Sequence, residues 1–142
     1  MRGLLGIGDM AAMALHAMGL VALAESDAPL SATSVARRLK ASLHTARIVM
    51  RRLGQAGLVK TVHGRQGGFR LARPAPKIPL WEVVDVFEPR AHRHACLFTK
   101  PVCAKGTPCP FAPLTSDLQH RIEDYLRGTS LDEIAAVLAE GK

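Results

Sequence analysis

At 142 residues, 48% hydrophobic and 22% charged, the chain can build one domain with a small core, and its balance is that of a globular rather than a disordered protein. Three cysteines are too few for a disulfide-stapled secreted scaffold, and the odd count leaves a thiol over, so a reducing, cytoplasmic setting is expected. The net charge of +7 is concentrated: between Ala28 and Trp81 there are eleven Lys or Arg and not one Asp or Glu, which favours nucleic acid over a merely solvated face, because a polyanion bound there releases counterions from its phosphates.

The first segment, MRGLLGIGDMAAMALHAMGLVALAES, imitates a secretory signal with Arg2, an apolar run and Ala22-Leu23-Ala24. Asp9 and His16 interrupt that run, and no stretch reaches the ~18 apolar residues of a membrane span, so no membrane partner is expected. The spacing predicts a helix instead. Asp9 can cap it, and Met10, Met13, Ala14, Ala17, Met18 and Val21 recur on one side.

Within the basic block, LSATSVARRL (30–39) reads as a short helix with a hydroxyl residue at its start, and Lys40 and Ala41 form a tight connection. SLHTARIVMRRLGQ follows. Ser42 is the expected N-cap, and Leu43, Ala46, Val49, Met50 and Leu53 share the buried side. The other side carries His44, Thr45, Arg47, Ile48, Arg51, Arg52 and Gln55. A helix apolar behind and basic in front suits the major groove, where Arg reads guanine, Gln reads adenine and Ile48 can meet a thymine methyl.

Leu58–Val62 and Phe69–Ala72 are strand-like, and His63-Gly64-Arg65-Gln66-Gly67-Gly68 is a glycine-bearing turn. After two short helices in a basic block, this hairpin reads as the wing of a winged helix-turn-helix, with His63, Arg65 and Arg70 placed for the minor groove or phosphates. Positive φ in the turn is the expected use of Gly64, Gly67 and Gly68. Few aromatic residues are available for stacking on bases, which weighs against a single-strand RNA module.

All three cysteines lie in CLFTKPVCAKGTPC: Cys96, Cys103 and Cys109. The gaps of six and five residues do not fit a zinc ribbon. Lys100, Lys105, Pro101 and Pro108 mark an exposed loop, and these cations, with His92, Arg93 and His94, favour thiolates. Three thiolates on an irregular loop suit an iron-sulfur cluster, and a disulfide switch using two of them is the alternative. An enzyme or electron carrier is disfavoured, since no nucleotide-binding loop, Cys-x-x-Cys pair or acid/base pair is evident. Beyond the loop, Leu114, Leu118, Ile122, Tyr125 and Leu126 make an apolar stripe on a helix. Ser130 and Glu133 then form a capping box for a short last helix.

Taken in order, Asp9 opening an alanine-rich helix, AGLVKTVHGRQGGFRLARP, IPLWEVVDVFE, the three-cysteine loop and the closing TSLDEI resemble the Rrf-two family of winged-helix transcription regulators, which includes IscR-like and NsrR-like members. The resemblance implies a mainly α fold with a small β-hairpin wing: a winged helix-turn-helix domain over 1–88, a cysteine-bearing loop over 89–113, and a dimerisation helix with a short closing helix over 114–142. It also implies a homodimer on a palindromic operator, and a cluster on Cys96, Cys103 and Cys109 through which nitric oxide, redox state or iron acts. IscR-like members place a histidine where this chain has Ala112, whereas Asp9 matches the aspartate that NsrR-like members supply from the partner subunit. The resemblance therefore favours a 4Fe-4S cluster over 2Fe-2S. Two positions depart from the family pattern: His63 replaces an arginine ahead of the wing's first glycine, and Met10 replaces an aromatic residue.

Overall fold

In the computed structural model, residues 7–24, 28–89 and 108–140 are described. The first helix, α1 (Asp9–Leu23), lies at the centre, packed by α6 (Leu131–Glu140), α4 (Leu80–Phe87), α3 (Leu43–Gln55) and β2 (Gly68–Leu71). Ala11, Ala14, Ala17 and Met18 are fully buried, Leu20 and Val21 nearly so. Met10 and Met13, expected in the stripe, sit half-buried at its border. Enclosure on several sides needs apolar residues all round the helix, and that pattern is what imitates a secretory signal. No described helix is long and apolar enough to cross a membrane. The N-cap of α1 is Gly8 rather than Asp9, which becomes the first helical residue, its negative charge at the positive end of the helix. Glu88, brought in from the end of α4, accepts the Gly8 N–H.

The helix-turn-helix follows the expected pattern. Ser31 caps α2 (Ala32–Arg38) by accepting from the Ser34 N–H at 3.1 Å, and Ser42 caps α3 by accepting from the Thr45 N–H at 3.0 Å. Between them Lys40 adopts φ 51°, and the Ala41 N–H donates to the Ala36 carbonyl at 2.9 Å. This left-handed C-terminal closure costs a non-glycine residue about 1 kcal/mol. The end of α3 closes the same way with Gly57, φ 75°: the Leu58 N–H reaches the Leu53 carbonyl at 3.0 Å, and both side chains enter the core. Ala46, Val49, Met50 and Leu53 are fully buried, so α3 is fixed along one side.

Strands β1 (Val59–Val62) and β2 pair antiparallel in the register Val59–Leu71, Lys60–Arg70, Thr61–Phe69 and Val62–Gly68. Phe69 also bridges Leu30, with reciprocal N–H to carbonyl bonds of 2.9 and 3.0 Å, which ties the wing to the segment entering α2. The glycines serve differently from expectation. Only Gly64, φ 115°, needs the left-handed region. A Cβ on Gly67 would stand 2.4 Å from the Val62 carbonyl oxygen, and one on Gly68 would stand 2.6 Å from the Leu30 carbonyl. Close backbone approach, not positive φ, excludes side chains there.

After one turn of 3-10 helix (Ala75–Lys77), α4 starts beside the junction of α5 (Ala112–Gly128) and α6. The Leu80 N–H donates to the Thr129 carbonyl and the Leu131 N–H to the Ile78 carbonyl, both at 2.9 Å. Glu133 accepts the Ser130 N–H at 3.2 Å, one half of the expected capping box, while the Ser130 hydroxyl turns to Asp132.

Because the Leu30 backbone leaves no room beside Gly68, Gly68→Ala should destabilise the fold by about 2 kcal/mol. Gly128→Ala, whose added methyl meets nothing within 4 Å, should be neutral or stabilising. Urea denaturation of both variants checks the contrast; equal stability would show that the wing does not need the close approach.

Candidate nucleic-acid interface

The exposed side of α3 is set by what its other side buries. At about 100° per residue, His44, Ile48, Arg51 and Gln55 fall opposite the buried side, with Arg47 and Arg52 on its two flanks. Each of these side chains is exposed, Ile48 at 38%. Ser42 and Thr45, also expected here, lie at the helix start with their hydroxyls 2.7 Å apart, and Thr45 is half-buried. Arg52 is also engaged within the chain: its Nη2 donates to the Val86 carbonyl at 2.7 Å, and its guanidinium lies over the Phe87 ring, 4.6 Å from the centroid.

On the wing, His63 and Arg65 are exposed near the turn and Arg70 is half-buried on β2. Directly across from Arg70 stands Lys60, exposed and absent from the expected set. Arg73, just past the wing, pairs with Glu82 on α4, the first acidic residue after the basic block. The positive field is therefore carried by α3, the wing and the exposed Arg37, Arg38 and Lys40 around the α2–α3 turn.

Of the expected metal ligands, Cys109 is exposed, with a free thiol, shortly before α5, and Asp9 is exposed on the first turn of α1. Cys96 and Cys103, with His92 and His94, lie outside the described residues. Among the described residues no cluster of three or more His, Cys, Asp or Glu could hold a metal. A hollow of about 240 Å³ between the end of α3 and α4 is lined by Ala56, Leu58, Trp81, Glu82, Asp85 and Val86.

Comparison with known proteins agrees with this architecture. The sequence model of the Rrf2 family, described as iron-dependent transcriptional regulators, matches residues 7–137. The chain belongs to the Rrf2 family. It is 32% identical to the HTH-type transcriptional regulator IscR of Aliivibrio salmonicida over 121 residues, 85% of this chain and 71% of that one. A relative in Aquifex aeolicus is 30% identical over 88 residues and is matched over 61% of its length. Among solved structures, CymR, the global cysteine regulator of B. subtilis, superposes with a TM-score of 0.72 at 22% identity, covering 92% of this chain and 96% of that one. T. potens IscR does so with a TM-score of 0.71 at 24% identity, covering 96% and 88%. At such identities these two structures speak to the fold.

As an Rrf2 member the chain is a DNA-binding transcriptional regulator and not an enzyme. Its winged helix-turn-helix presents an acid-free run of sequence on α3 and the wing. Sequence reasoning passed over Lys60 because the hairpin register was not fixed; counting back from the turn with Val62 opposite Gly68 would have paired it with Arg70.

Proposed function

We propose that this Rrf2 protein is a cytoplasmic homodimer, acting as a repressor, that reads a palindromic operator and whose binding is switched by an iron-sulfur cluster responding to nitric oxide, redox state or iron. His44, Arg47, Ile48, Arg51 and Gln55 would face the major groove, with Ser42 and Thr45 at the helix start. His63, Arg65, Arg70 and Lys60 would reach the minor groove or phosphates. Arg and Gln supply paired donors and acceptors for guanine and adenine edges, whereas wing cations add affinity with little sequence information.

Dimerisation is supported by the way α5 distributes its apolar residues. Leu126 is buried and Ile122 half-buried against the chain's own core. Leu114 is 50% exposed, Leu118 40% and Tyr125 69%, with Phe111 beside them at 39%. A row of large apolar side chains left in water marks a protein interface, and a second copy of α5 presents the same row, as two-fold pairing requires.

The observation that carries the cluster reading is the free, exposed thiol of Cys109 at the approach to this row. A soft, accessible sulfur ligand fits iron, and the family's iron dependence supports the assignment. Cys96, Cys103 and Cys109 would hold the group, with Asp9 of the partner subunit as fourth ligand and 4Fe-4S ahead of 2Fe-2S. Such a cluster supplies a centre that reacts with nitric oxide and oxidants. The domains proposed are the winged helix-turn-helix (1–88), the cysteine loop (89–113) and the dimer-forming end (114–142). Two recognition helices must meet half-sites in register, so a change in how the cysteine loop is held alters operator affinity without touching a base-reading side chain.

Protein isolated without oxygen should be coloured and contain about four iron and four sulfide per chain. A colourless, iron-free preparation that still answers oxidants would turn the reading to the disulfide switch. Asp9→Ala should make the cluster more labile or change its type, visible in the absorption spectrum. Independently, Leu118→Glu should give a monomer by sedimentation and lose at least tenfold in affinity for a palindromic duplex; a folded variant that remains dimeric would remove α5 from the interface.

A further inference from the structure

Arg52 stands apart from the other cations of α3. It sits on a flank of the helix and in its last turns, whereas the N-terminal residues of a recognition helix are those that reach base edges. Both the edge and the face of its guanidinium are occupied by the last turn of α4: the edge donates to the Val86 carbonyl at 2.7 Å and the face covers the Phe87 ring at 4.6 Å. A planar, delocalised cation is suited to that double engagement in a way a lysine is not. Elsewhere α3 and α4 meet only lightly, so this contact contributes much of what sets their relative orientation. The next residue, Glu88, accepts the N–H of Gly8 at the start of α1. The last turn of α4 is thereby fastened to two helices at once.

We infer that Arg52 is a positioning residue for DNA reading: through Val86 and Phe87 it fixes the angle at which α3 is presented, and it is not itself a phosphate or base contact. A helix held at the wrong angle keeps its charge but loses the alignment of His44, Ile48, Arg51 and Gln55 with base edges. Positioning and contact roles therefore predict different losses. Removing a phosphate contact weakens all sequences alike and lowers the salt dependence of binding. Removing an alignment device lowers the preference for the right sequence and leaves the salt dependence unchanged.

The test uses the full-length protein, a duplex selected by the wild type from a random pool, and a scrambled duplex of the same composition, titrated over a range of salt. Arg52→Met and Phe87→Leu should both reduce the ratio of selected to scrambled affinity, by about tenfold, on the scale of one mismatched base pair. Both should keep the wild-type slope of affinity against salt on the scrambled duplex. Arg52→Lys, which retains the charge and one donor, should fall between. A slope lower by about 0.9 in Arg52→Met, with Phe87→Leu like the wild type, would overturn the inference in favour of a phosphate contact. A ratio lost in Arg52→Met but kept in Phe87→Leu would overturn it in favour of base reading. Circular dichroism of each variant establishes that it is folded, and Phe87→Leu keeps the test open should Arg52→Met fail to fold.

Discussion

The recognition helix is held by one side only. Ala46, Val49, Met50 and Leu53 are fully buried, and burying side chains of Val, Met and Leu size contributes about 1.5–3 kcal/mol each. That grip must resist the mutual repulsion of the cations α3 displays, since its sequence neighbourhood contains no acidic residue to neutralise them. At Arg73, just past the wing, Glu82 closes in from α4 and matches a cation of the block with an ion pair. The packing therefore maintains a surface whose charge is satisfied by an outside polyanion, and the helix ends are closed accordingly: Ser42 fixes one end and the Leu53–Leu58 closure through Gly57 the other.

Features with a period or a cap were legible in the sequence. The buried side of α3, the serine caps of α2 and α3 and the hairpin follow from spacing and side-chain chemistry alone, because each depends on residues a few positions apart. Features set by a distant partner were not. Gly67 and Gly68 looked like turn glycines, yet the Gly68 constraint comes from the backbone of Leu30, far away in the chain. Asp9 looked like a cap until Glu88 supplied a carboxylate to Gly8. Arg52 matched its neighbours in type and exposure, and only the end of α4 distinguishes it. The cysteine spacing suggests a ligand type but fixes no geometry, and of the three cysteines only Cys109 lies among the described residues.

The stripe on α5 shows how one periodic signal can serve two surfaces. Leu126 and Ile122 point to the core at the end of the helix, where Arg127 lies over the Trp81 ring at 4.2 Å and bonds Glu123. Leu114 and Leu118 continue the same spacing into solvent. A period identifies the apolar side of a helix but not whether the covering atoms belong to the same chain. That answer depends on where the rest of the fold ends, and here α4 covers only the last turns of α5.

This places α4 between the parts that act. At its start, Leu80 and the preceding Ile78 are bonded to the α5–α6 junction through Thr129 and Leu131. At its end, Val86 and Phe87 engage Arg52 of α3, and Glu88 engages Gly8 of α1. Val83 and Val84 between them are fully or almost fully buried, so the helix cannot bend or slide without opening the core, which is packed too densely to deform continuously. A short, buried helix fastened at both ends moves as a unit. On the proposed reading the cysteine loop begins where that unit ends, so a pull on the loop reaches α3 through Arg52 and α5 through Thr129 together. Dimer geometry and helix angle would then change as one variable.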